Sequence, residues 1–113
     1  LLIGRLPLAW SQAGMVALQR GQISGDKGAI ACFEKGWDAE EEHLNPMAYL
    51  ALHRIHLFIE DQDTAEEWFE SLLAVGGEEA VAVDWIKAIH EALKKIDSSR
   101  ALRLPSPPLS EQE

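Results

Sequence analysis

The stretch from Asn45 to Gly77 constrains this chain more than any other, because it spells out two helices together with their ends. Asn45 carries an N-cap side chain, and Pro46 follows in the first turn, where a missing N–H costs nothing. Tyr49, Leu52, Ile55 and Ile59 recur at helical spacing until Asp61-Gln62 interrupts them. Asp63 then reads as a second cap, with Glu66 placed to reach back toward the cap amide. Ala65, Trp68, Phe69 and Leu72 form one apolar stripe, while Glu66, Glu67 and Glu70 occupy the opposite face. Gly76-Gly77 supplies the stop. The pattern predicts an antiparallel helical hairpin whose two apolar faces need covering from elsewhere in the chain.

The flanking segments supply that cover. Residues 1–7 are an apolar lead-in expected to lie on a neighbouring helix. A helix over 8–20 places Trp10, Ala13, Gly14, Ala17 and Leu18 on adjacent faces; Gly14 inside it predicts a close approach of another element. Asp26 caps a second helix over 27–37, with Ala29, Ile30, Phe33 and Trp37 inward, and an acidic connection spans 38–45. A fifth helix over 78–96 aligns Ala82, Trp85, Ile86, Ile89, Leu93 and Ile96, with Glu78 and Glu79 in its first turn and Lys94 and Lys95 in its last. Alternating β-branched runs are almost absent, so the expected fold is all-α, about five helices in one domain over 1–97. Residues 98–113, rich in Ser and Pro, read as a disordered tail without the means to pack.

A formal net charge of −9 on 113 residues argues against nucleic acid and against anionic membrane surfaces. Residues 31–70 hold eleven acids against Lys35 and Arg54, which reads as a solvated face and makes a neutral or basic partner the safer expectation. Cys32 stands alone, so no internal disulfide is possible; it reads as a small core residue in a reducing compartment, the cytoplasm, with a periplasm left open. No apolar run reaches membrane-spanning length, and the Leu1 start reads as a fragment or processed form.

Catalytic signals are missing. His53, His56 and Glu60 can share a helical face, but two histidines without a cysteine fall short of a structural metal site and read as packing or groove residues. Glu40-x-x-His43 occurs once where a di-iron bundle needs it twice. There is no nucleophile elbow, phosphate loop or zinc spacing, so no enzyme, cofactor or metal is expected. Among the four tryptophans, Trp68 and Trp85 lie on apolar stripes and Trp37 is the one expected to be exposed.

The two hairpins repeat one another. Trp10 matches Tyr49 at an offset of 39 residues, and Ala29 and Phe33 match Ala65 and Phe69 at 36. An aromatic opening one helix, a small residue near its middle, then Ala-x-x-x-Phe in the next resembles the tetratricopeptide repeat: Trp10/Gly14 with Ala29/Phe33, then Tyr49/Leu52 with Ala65/Phe69. The small position of the second repeat holds His53. The resemblance covers roughly residues 8–76 and implies an α-α superhelix of stacked hairpins with the fifth helix as solvating cap. It also implies that the first helix of each pair lines a concave surface, which here would present Gln12, Gln19, His53, Arg54 and His56 to a peptide or helix of a partner protein. The expected function is a non-catalytic protein-interaction module; the alternative is a helical oligomerisation or regulatory domain of a larger protein, self-associating through Leu1–Leu8 or the last helix.

Overall fold

The computed structural model describes residues 7–39, 43 and 45–105, with the side chains of Pro7 and Leu8 left out. Residues 1–6 of the predicted lead-in over 1–7, residues 40–42 and 44 of the acidic connection over 38–45, and the segment 106–113 lie outside the described residues. The chain is all-α: α1 Pro7–Gln19, α2 Ala29–Ala39, α3 Pro46–Phe58, α4 Gln62–Ala74, a 3-10 turn Glu78–Ala80, α5 Val83–Ile96 and α6 Ser98–Ala101. Among the described residues there is no strand, and no helix is long and apolar enough to cross a membrane.

Local chemistry sets most of these ends. Asn45 Oδ1 accepts from the Met47 N–H at 3.0 Å, and Pro46 occupies the first helical position. The cap of α4 is Asp61, two residues before the expected Asp63: its Oδ1 faces the Thr64 N–H at 3.4 Å, so the helix starts at Gln62 and the Asp63–Glu66 capping pair does not form. At the far end, Gly76 N–H reaches the Leu73 carbonyl at 3.2 Å and Gly77 N–H the Leu72 carbonyl at 2.9 Å, a paired closure that places Gly76 at φ 119°. The last long helix is shorter than predicted. Glu78 and Glu79 form a separate 3-10 turn, and α5 begins at Val83 with Asp84 in its first turn.

Packing follows the chain order and then departs from it. α1 lies along α2, α3 along α4, and α2 bridges to α3. α5, however, lies against both α1 and α3, and the short α6 folds back on α5. Ten of the thirteen residues of α3 are buried, so this helix is the central one, covered on all sides. Around it Leu18, Phe33, Leu52, Ile55, Ile89 and Leu93 form the main core, and Tyr49, Leu50, Leu72, Val81 and Ile86 a second.

Two sequence expectations are corrected here. The Ser- and Pro-rich composition predicts a disordered tail from residue 98, but Asp97 caps a helical turn over Ser98–Ala101, and Ala101 and Leu104 are buried in the main core. These two apolar anchors are joined by the bond from Arg54 Nη1 to the Pro105 carbonyl and by the Arg103–Glu60 ion pair. Trp37 is half-buried rather than exposed: its ring stacks on His43 at 4.2 Å, and its Nε1 donates to the Tyr49 hydroxyl at 2.9 Å.

Gly14 has the close neighbour the sequence implied. A methyl group built on its Cα would come within 2.8 Å of the Phe33 ring, which is wholly buried and has nowhere to retreat. Gly14→Ala is therefore expected to destabilise by about 1–2 kcal/mol, the overpacking outweighing alanine's better helix propensity. A lowered urea midpoint with an unchanged slope is the expected reading; a raised midpoint would mean that the ring has room to move.

Candidate functional site

α3 carries the residues expected to face a concave surface, and the fold buries them. His53 is 9% exposed, Arg54 1% and His56 7%, whereas Gln12 and Gln19 on α1 stay exposed. The five do not form one surface. The reason is tertiary: α5 occupies the side shared by α1 and α3, while the Glu78 turn and Pro105 close over Arg54.

Each buried polar group has a distinct environment. Arg54 Nη1 donates to the Pro105 carbonyl at 2.8 Å, and Nη2 lies 3.4 Å from Glu78 Oε2, its acidic partner. Its Nε finds no partner among the described residues. Burial lowers the pKa of the guanidinium, and the Glu78 carboxylate works against that shift. His53 Nδ1 lies 2.9 Å from the Ala65 carbonyl and so carries the proton of that bond in the neutral ring. His56 Nδ1 stands 3.5 Å from Asp61 Oδ2, too far to bond well. Glu60 instead turns to Arg103 at 3.3 Å. His53 and Glu60 thus go to different partners, the His56 ring nitrogens have no hydrogen-bond partner among the described residues, and among those residues no group of three or more such side chains is placed around a metal position.

An open site arises beside one of the positions that the sequence aligns between the two hairpins. The sequence aligns Trp10, Gly14, Ala29 and Phe33 of α1 and α2 with Tyr49, His53, Ala65 and Phe69 of α3 and α4, and Leu52, one residue before His53, is wholly buried. Ala29 and Ala65 are both wholly buried. Phe33 lies on the bare backbone of Gly14 and is wholly buried. Its counterpart Phe69 meets the imidazole of His53, ring centroids 4.8 Å apart, and stays half-buried. An imidazole where the first hairpin has a hydrogen holds the second phenyl ring outward. Beside it opens a groove of about 700 Å³, walled by His53, Leu57, Phe69, Leu73, Glu78 and Pro105. Leu73 is 55% exposed on its rim. The sequence singled out Phe69 and His53 but not Leu57, Leu73 or Pro105; the half-filled small position was the only signal in the sequence that a ring would be displaced.

No family model, curated protein or solved structure matches this chain.

Two histidines are expected to make the fold sensitive to acid. Burial is the main cause that lowers the pKa of both His53 and His90 below the ordinary 6.5, with the Arg54 charge adding to it in each case. The unfolded chain then binds more protons near that pH, so their contribution is complete above 6.5 and is lost as pH falls through the folded values. The urea midpoint is expected to drop between about pH 7.5 and about pH 5.5. A midpoint flat across that window would show that both imidazoles titrate in the fold as they do in the unfolded chain.

Proposed function

We propose that α1–α4 are two degenerate tetratricopeptide-like hairpins whose expected concave side is filled by α5, and that the chain is a non-catalytic protein-interaction module. Its partner docks beside Phe69, in the groove at the second hairpin. The observation that carries this reading is an apolar trough, Leu57, Phe69 and Leu73, opening to solvent next to the carboxylates of Glu78 and Glu79. An exposed leucine and a half-buried phenylalanine anchor an apolar side chain, and fixed acids on the rim select what flanks it. Along α4, Glu66 and Glu70 stand one turn before Phe69 and Leu73, extending the acidic border. The partner that fits is a short helix or extended segment with an apolar anchor and neutral or basic neighbours.

The test is a selection of displayed peptides on the immobilised chain, followed by affinity measurement for Leu73→Glu. Enriched peptides are expected to pair an apolar anchor with Lys or Arg, and Leu73→Glu to weaken them by at least about tenfold. Because Leu73 is largely exposed, that substitution is expected to alter stability by no more than about 0.5 kcal/mol. Enrichment of acidic peptides, or capture indifferent to Leu73→Glu, would remove the groove as the docking site.

A further inference from the structure

A second hollow, separate from the Phe69 groove, lies where α2 meets α4. It measures about 380 Å³ and is lined by Ala31, Glu34, Lys35, Trp37, Asp38 and Trp68. The rings of Trp37 and Trp68 meet at 82° with centroids 5.6 Å apart, forming two walls of a corner. Glu34 and Asp38, four residues apart on one flank of α2, are both exposed at its mouth. The one cation of the lining points its charge elsewhere: Lys35 Nζ sits 5.1 Å from the centroid of the Trp10 ring.

The corner is rigid before any ligand arrives. Trp37 is fixed by the bond from its Nε1 to the Tyr49 hydroxyl at 2.9 Å, and that hydroxyl donates to the His43 carbonyl at 2.7 Å. One face of Trp37 is covered by His43, stacked at 4.2 Å. Trp68 is held against Tyr49 at 5.8 Å. Such immobilisation spares a ligand the cost of ordering the aromatic walls.

From this geometry we infer that the Trp37–Trp68 corner is a binding site for an organic cation with apolar bulk, a methylated ammonium group. An indole face attracts a cation through its quadrupole, and methyl groups on the nitrogen lower the cost of leaving water. A plain ammonium is more strongly hydrated and gains less. The two carboxylates supply the net charge, so a neutral molecule of the same shape has only the apolar contact. The chemistry is shared by a small free quaternary ammonium and by a methylated lysine side chain of a partner peptide. The inference does not depend on the Phe69 groove.

The experiment follows the indole N–H signals of Trp37 and Trp68 by NMR during titration with tetramethylammonium chloride. Saturable shifts at both, with a dissociation constant on the order of millimolar, are expected. The neutral isostere 3,3-dimethyl-1-butanol is expected to bind at least about fivefold more weakly than choline, and Glu34→Gln/Asp38→Asn to weaken choline by a similar factor. Both substituted residues are exposed, so the fold is retained, and Leu73→Glu at the other groove should leave these shifts unchanged. No saturable shift by about 50 mM overturns the site. So does equal binding of the neutral isostere, or indifference to the double substitution. A trimethyl-lysine peptide binding more tightly than choline assigns the source to a modified partner chain; the reverse order assigns it to a free small molecule.

Discussion

Phe33→Ala is expected to destabilise the chain by about 4 kcal/mol, while Phe69→Ala, at the position the sequence aligns with it in α4, costs about 1–2 kcal/mol. The chemistry removed is the same, so the difference isolates packing. Phe33 is wholly buried, seated on Gly14 and meeting Trp85 edge-on with centroids 6.0 Å apart and planes at 86°. Its deletion opens a cavity in the centre of the main core, where α1, α2, α3 and α5 converge and cannot collapse independently. Phe69 is already half in solvent against His53, and its removal mostly widens a groove that is open anyway. Urea denaturation of both variants decides the matter. In a domain of this size a 4 kcal/mol loss lowers the thermal midpoint by more than about 10 °C. Equal costs at the two positions would show that the second ring is buried as deeply as the first and that the His53 wedge does not operate.

The Arg54–Glu78 pair yields a prediction of opposite signs. Glu78→Gln is expected to destabilise by about 2–3 kcal/mol, because it leaves a guanidinium that is 1% exposed without its acidic partner. The cost is smaller than for a fully buried pair, since the Glu78 side chain is 35% exposed and water screens its charge. Arg54→Met removes the buried charge, fills most of the same volume and eliminates the unpartnered Nε. It forfeits the bond to the Pro105 carbonyl, but Pro105 is exposed and water can replace that donor. Net stability is therefore expected to be unchanged or raised by about 1 kcal/mol. Combining the substitutions should abolish most of the Glu78→Gln cost, and a double-mutant cycle reads the coupling directly. If Glu78→Gln is silent, or if Arg54→Met costs as much as a core truncation, then the charge is compensated by some route other than Glu78.

The same cluster shows how a helix inside a fold changes the meaning of its residues. In α3 the order Leu52-His53-Arg54-Ile55-His56 reads as an amphipathic helix with a polar stripe for solvent. That inference presumes one uncovered side. With α5, the Glu78 turn and Pro105 on the side where the stripe points, Arg54 becomes an internal charge, and His53 becomes the spacer that props Phe69 outward. The Schellman-like end of α3 is a second case. Glu60 takes φ 65° where glycine is the usual residue, and Glu60 and Asp61 N–H groups bond the Leu57 and His56 carbonyls. No glycine marks that turn, so the sequence pattern places the start of α4 two residues after its actual cap, Asp61.

What the sequence by itself determined was local: the all-α class, the helices of both hairpins, the Asn45 cap, the Gly76-Gly77 stop, and the need for a close neighbour at Gly14. These follow from periodicity, capping groups and backbone freedom, which act over one or two turns and are written within a few residues. Tertiary structure alone decided that α5 would lie across α1 and α3, that Ala101 and Leu104 would be drawn into the core, and that the open surfaces would fall at Phe69 and at the Trp37–Trp68 corner. An apolar stripe states that a helix face must be covered, but burial is non-directional and carries no label for the element that covers it.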